Sequence, residues 1–319
     1  MLEPGTVLLF LLAVATVIYS TWRSSPKEGL PPAIENSVSE VKPIHALLFV
    51  IAGSAVLLLI FYFLTTIEVV LTIMFSLAAV SALVFVLQPF AESWLPRNWP
   101  ADTRVPYLGP VPTATVVLFP IAVIITAAYL FSRSQMSWNW ILNDLVGFAL
   151  CVQFVALLRV NSLLVATVLL IAVFFYDIFW VFFSRPIFGD NVMVHAAQIE
   201  LPIKLLCPVP GSFTMLGLGD IVLPSLLIAF NMRMDQDRRR AWYSGYWFAS
   251  LVGYTVGLVA CYLALAITAH AQPATIYLNP GILIPTLILA WKRGELSELW
   301  KGKKPQLYNS DEVEALVGD

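Results

Sequence analysis

Two aspartates lie inside apolar stretches long enough to belong to membrane spans. Asp177 sits in Phe174-Phe175-Tyr176-Asp177-Ile178-Phe179-Trp180, and Asp220 in Met215-Leu216-Gly217-Leu218-Gly219-Asp220-Ile221-Val222. An ionised carboxylate in hydrocarbon costs at least ~2.5–3.5 kcal/mol, so two in consecutive spans imply use. Two carboxyls that share one proton can perform aspartic proteolysis, one as base and one as acid. Spaced along the membrane normal, the same two acids would instead mark an ion path.

Their flanks fit the first chemistry. Gly217 and Gly219 remove side chains around Asp220, so another helix can approach closely. Pro224, four residues on, frees a helical carbonyl. Tyr176 brings a hydroxyl next to Asp177, with packing or interface anchoring as the equally weighted alternative. Further along, Gln272-Pro273-Ala274-Thr275 opens an apolar segment. Proline there leaves helix-start amides without intrahelical acceptors, free to steady a carboxylate or a substrate carbonyl.

Other chemistries find less support. The 3 histidines and 3 cysteines are scattered. No His-Glu-x-x-His or Cys-x-x-Cys occurs, so no metal centre or organic cofactor is expected. Ser244-Gly245 lacks the Gly-x-Ser context of a serine nucleophile. No basic patch interleaved with aromatics suggests nucleic acid.

The elements that must hold these acids are transmembrane helices. Of 319 residues, 59% are hydrophobic and 12% charged, with mean hydropathy +0.83; soluble domains carry about 25% charged residues. The expected fold is an all-α bundle of nine transmembrane helices in a single membrane domain. At about 20 residues per span, the segments fall near 5–22, 44–64, 67–89, 113–131, 138–158, 163–183, 213–232, 242–268 and 273–291. The first has an acidic rather than basic leader, so it reads as an uncleaved span. Residues 301–319 read as a cytosolic tail, acidic and disordered towards the end.

Of the 18 Lys and Arg residues, all but Arg133, Arg185 and Lys204 fall on one side of this nine-span layout. The positive-inside rule puts that side in the cytosol, with the N-terminus lumenal and the C-terminus cytosolic. Asp177 then lies ~12 Å and Asp220 ~13 Å below the lumenal edge, counting ~1.5 Å per helical residue from Arg185 and Gly211. The matched depths let the two carboxyls face each other. Glu68 and Asp144, near lumenal span ends, read as structural acids. After the sixth span, 191–197 and 199–207 are compatible with extended backbone near the level of the two acids. Ile199, Leu201, Ile203 and Leu205 are therefore candidates for pairing with an unwound substrate as a β-strand.

Taken in order, Tyr176-Asp177, Gly217-Leu218-Gly219-Asp220 and Gln272-Pro273-Ala274 resemble the three-part pattern of intramembrane aspartyl proteases of the presenilin and signal peptide peptidase type. The wider contexts of both aspartates, with Asn191-Val192-Met193-Val194 and Trp140-Ile141-Leu142-Asn143-Asp144, look most like the type-three branch of the signal peptide peptidase-like proteins. The resemblance implies cleavage in or near the transmembrane segments of membrane proteins, by Asp177 and Asp220. It implies substrates with cytosolic N-termini (type II) and residence in Golgi or ER membranes. The lipid bilayer is the other partner, and a homo-oligomer stays open. One position departs from the pattern: Thr275 stands where the family usually has leucine. That leaves room for a catalytically silent relative that only binds membrane proteins. A transporter or proton channel is the alternative from another class.

Overall fold

The computed structural model describes residues 3–25, 39–96, 99–105, 109–133, 138–189, 192, 201–268 and 272–302. The chain is mostly helical. The long helices are α1 (Pro4–Arg23), α2 (Pro43–Tyr62), α3 (Leu64–Trp94), α4 (Thr113–Ser132), α5 (Asn139–Leu157), α6 (Leu163–Ile178), α7 (Gly219–Asp237), α8 (Tyr246–Thr268) and α9 (Thr275–Lys292). A π-helical turn, Phe179–Phe183, and a helical segment, Ser184–Phe188, continue α6. Among the described residues, seven helices are long and apolar enough to cross a membrane: α1 to α6 and α8. The other two long helices are less uniformly apolar. The last turns of α7 carry Arg233, Asp235 and Asp237, and α9 is interrupted by Pro280 and Pro285.

Among the described residues, three short two-stranded sheets join the helices. β1 (Ser39–Val41) pairs in parallel with β4 (Leu158–Val160). β2 (Asp102–Val105) and β3 (Gly109–Pro112) form a hairpin within the proline-rich connector. β5 (Lys204–Val209) and β6 (Ser212–Gly217) form the hairpin that leads into α7. This last element corrects the expected seventh span. Residues 213–217 are apolar enough for a helix, yet they are strand, and the helix begins only at Gly219. The cause is local: Pro208, the tight Pro210-Gly211 turn with Gly211 at φ 77°, and two more glycines before Asp220. The depth reckoned for Asp220 from a helical rise after Gly211 therefore does not apply.

The interior divides into three apolar clusters. One unites α1, α6, α7, α8 and α9 with the β5–β6 hairpin, around Leu170, Leu226, Tyr254 and Leu278. A second packs α3, α4 and α5 around Phe85 and Val152. The third, smaller, sets Trp180 and Leu201 against Leu57 and Ile60 of α2. Many outward-facing side chains of α2 and α3, such as Ile51 and Leu77, are exposed and apolar, as lipid contact requires.

Polar pins and close approaches set the helices that matter. The Asn279 amide on α9 donates to the Leu170 carbonyl on α6 at 2.7 Å. The Asn231 amide on α7 donates to Thr286 on α9 at 3.0 Å. Such interhelical bonds average about 0.6 kcal/mol in membranes, with register as their larger effect. α8 and α9 touch backbone to backbone: a Cβ added at Gly257 would lie 2.8 Å from the Tyr277 carbonyl oxygen. Gly253 and Gly281 meet in the same seam, the small-residue packing of membrane helices.

Candidate active site

Asp177 lies in the last turn of α6, two residues before the π turn. π-helical segments insert one residue into a helical turn and are common at functional sites. Nothing in the apolar run Phe179–Phe183 announced it. Trp180 anchors this region: its indole N–H donates to Ser54 on α2 at 3.2 Å, and its ring stacks on Phe188. Tyr176 packs on α2 over Gly53, where an added Cβ would meet its hydroxyl at 3.5 Å. Its hydroxyl also interacts electrostatically with Asp177.

Asp220 occupies the first turn of α7. Its carboxyl folds back over Gly217, where an added Cβ would lie 3.4 Å from Oδ2. Gly219 has open space around it. The start of α7 is fixed by the Leu218 N–H, which donates to the Ile203 carbonyl at 2.9 Å. Asp177, at the end of α6, and Asp220, at the start of α7, are near enough for the charge of one to act on the other. Both residues are half-buried.

The start of α9 joins them. Pro273, Ala274 and Thr275 are buried, and Gln272 is half-buried. Gln272 accepts from the Tyr277 hydroxyl at 2.6 Å and donates to Thr268 at 3.1 Å, closing the α8–α9 junction. Thr275, the first residue of α9, has its hydroxyl against the Asp177 carboxyl. The contact falls short of full hydrogen-bond alignment, since Thr275 Oγ1 has no geometrically satisfied partner.

Of the candidate pairing residues, Ile199 lies outside the described residues, as do 191 and 193–200. Leu201 and Ile203 precede β5; Leu201 is buried against the Trp180 cluster. Leu205 is in β5, wholly buried, and paired with Leu216 of β6. The two-residue turn makes Val209 and Ser212 a hydrogen-bonded pair, so residues 204, 206 and 208 turn their backbone groups away from β6. That outer edge is already occupied. The Asn143 amide on α5 donates to the Lys204 carbonyl at 2.7 Å, and the Leu206 N–H donates to Asp144 at 2.8 Å. Pro208 has no N–H to offer. Among the described residues no strand pairs with the outer edge of β6, where Phe213 and Met215 are exposed. Sequence reasoning left Asn143 and Asp144 without this function, because only the tertiary fold brings α5 to β5. On α8, Tyr254, Cys261 and Tyr262 also come close enough to interact with Asp220, again with no local signal.

Comparisons with known proteins fall in line with this arrangement. Residues 33–306 match the family described as signal peptide peptidase, peptidase family A22B. Signal peptide peptidase-like 1 of Arabidopsis thaliana is 31% identical over 365 residues, spanning 97% of this chain and 95% of that protein. Signal peptide peptidase-like 3 of Oryza sativa subsp. japonica is 32% identical over 315 residues, spanning 92% of this chain. The chain spans only 60% of the length of that rice protein and 62% of rice signal peptide peptidase-like 5. In fold, the chain is similar to a presenilin family intramembrane aspartate protease, with TM-score 0.53 and 17% identity, covering 91% of this chain and 97% of the other. This is a multi-pass membrane protein with a presenilin-type fold. The chain belongs to the signal peptide peptidase family.

Proposed function

We propose that this chain is an intramembrane aspartyl endopeptidase that hydrolyses peptide bonds in or near the transmembrane segments of membrane proteins. The observation that carries the reading is the nearness of Asp177, at the end of α6, and Asp220, at the start of α7, close enough for one charge to act on the other. One carboxyl, ionised, takes a proton from a water, whose oxygen attacks the scissile carbonyl carbon. The other, protonated, donates to the carbonyl oxygen. The tetrahedral intermediate then collapses, the C–N bond breaks, and a proton passes to the departing amine. Hydrolysis needs water at the pair, and both acids are only half-buried. Acids spread far apart along the normal would favour the ion-path alternative; these two are near enough for the charge of one to act on the other.

The substrate must arrive unwound, with its backbone groups seeking partners in a medium that offers none. β6 supports the role of receiving edge, because β5 is sealed by Asn143 and Asp144. A strand laid on β6 would run beside Gly217, three residues before Asp220. The charge distribution supports a lumenal N-terminus and cytosolic C-terminus. The motif resemblance supports type II substrates and a Golgi or ER membrane. Reconstituted protein with a type II single-span reporter tests the reading: two fragments cut within or beside the span support it. An intact reporter together with proton flux through the vesicles would move the assignment to the ion path.

A further inference from the structure

A groove of about 980 Å³ lies between α3 and α4, with Gln153 of α5 and, at one end, the β2–β3 hairpin in its lining. Its two walls run antiparallel, Ser76 to Gln88 on α3 and Leu130 to Thr115 on α4. The direction is fixed by Arg133, just past α4, which bonds to Glu68 at 2.8 Å and to Thr72 at 3.0 Å near the start of α3. Leu77, Phe119 and Val123 on these walls are exposed, so the groove opens outward from the bundle. Polar groups recur along it at three depths. Counting ~1.5 Å per helical residue from the Glu68–Arg133 pair, Ser76 and Thr126 lie ~10–12 Å along, Ser81 ~20 Å, and Thr115 and Gln88 ~27–30 Å.

The middle depth is the costly one. Ser81 and the Gln153 amide bond to each other at 3.0–3.1 Å. The amide keeps further donor and acceptor capacity, at a depth where hydrocarbon offers no partner. Thr126 is 4% exposed, and its hydroxyl meets no hydrogen-bond partner among the described residues. A lipid has its polar groups at the head and none along its chains, so it answers only the outermost set. A transmembrane helix answers all three, because such helices pack through small residues and through Ser, Thr, Asn and Gln side chains that bond across the contact. Charge agrees. Asp102 is the one charged lining residue among the described residues. It stands at the hairpin end, which the charge distribution assigns to the cytosol, where spans carry Lys and Arg on their flanks. We propose that this groove is a docking site for a transmembrane helix of another membrane protein, one with a polar side chain at mid-span and a basic cytosolic flank. Neither Asp177 nor Asp220 lines it, so the site stands apart from the dyad and does not depend on whether the bound helix is cleaved.

The test uses the labelled full chain in phosphatidylcholine vesicles, with binding read by energy transfer. The probe is a synthetic leucine–alanine span with a lysine flank and one glutamine at mid-span; a second span without the glutamine is the control. Ala127→Phe fills the groove from the α4 wall and should weaken binding of the glutamine span about tenfold or more, the contact being overpacked. Ile124→Phe, on the same helix but outside the groove, should bind like the parent. Gln153→Leu should weaken the glutamine span about threefold, the usual strength of one interhelical hydrogen bond, and leave the control span unchanged. Unfolding transitions check each variant; should Ala127→Phe not fold, Leu77→Trp on the facing wall takes its place. Parent-like binding by the filled groove, or Gln153→Leu treating the two spans alike, overturns the proposal. So does failure of both spans to bind, which leaves the groove to lipid.

Discussion

The Asp144 carboxylate on α5 accepts a 2.8 Å hydrogen bond from the backbone N–H of Leu206. By this bond, and by Asn143 on the Lys204 carbonyl, α5 holds β5. β5 in turn holds β6, and β6 leads into Asp220. An acid that looked like a span-edge residue is thus part of the support of the site.

Asp144→Ala should therefore reduce both stability and cleavage. Hydrogen bonds to charged groups contribute about 1.5–3 kcal/mol, and the hairpin would lose its hold on α5. Asp144→Asn keeps an acceptor oxygen and should lose less. Thermal unfolding in detergent and reporter cleavage, measured side by side, check this; an alanine variant equal to the parent in both would remove the support role.

The outer edge of β6 makes a sharper test of substrate pairing than any change in β5. Met215 turns its N–H away from the β5 ladder, so Met215→Pro removes an outward donor and spares the hairpin bonds. Cleavage should fall at least tenfold with little change in unfolding temperature, one lost buried hydrogen bond amounting to about that factor or more. Leu205→Pro is a poorer probe, because Leu205 bonds inward to Leu216 and the change would break the hairpin itself. Normal cleavage by Met215→Pro would exclude strand addition on β6.

At the other end of α7, Glu295 gathers Arg238, Arg240 and the Tyr246 hydroxyl, the last at 2.5 Å. Partial burial works against the charge, but hydrogen bonds from Tyr246 and Arg240 and the charges of Arg238 and Arg240 outweigh it, holding the Glu295 carboxyl below its usual 4.5. A depressed carboxylate stabilises the fold above its unfolded value, and the contribution is lost as pH falls through the folded value. Unfolding temperature should accordingly drop on acidification below about pH 4.5, and Glu295→Gln should lower it at neutral pH while flattening that part of the curve. An identical acid dependence in Glu295→Gln would show that the cluster contributes nothing.

Much of this was legible in the chain, for a physical reason. Apolar length sets the helical segments, and an acid inside such a segment stands out because burying it is costly. That made Asp177 and Asp220 readable without a fold. The start of α7 was not, because Phe213–Gly217 carries the same apolar composition as a helix and becomes strand only by pairing with β5. The π turn after Asp177 depends on how the helix settles against Ser54 and Phe188, which no local pattern encodes. Nor could Asn143 and Asp144 be tied to β5, about 60 residues away in sequence.

The central claim is that Asp177 and Asp220 act as one proton-sharing pair. The most direct measurement is reporter cleavage by Asp177→Asn and by Asp220→Asn, each reconstituted and shown to be folded by its unfolding transition. Each single variant should lose cleavage by a factor of 1,000 or more, because acid and base act on the same water and carbonyl and their losses do not add. Retention of substantial cleavage by either folded variant would contradict the account.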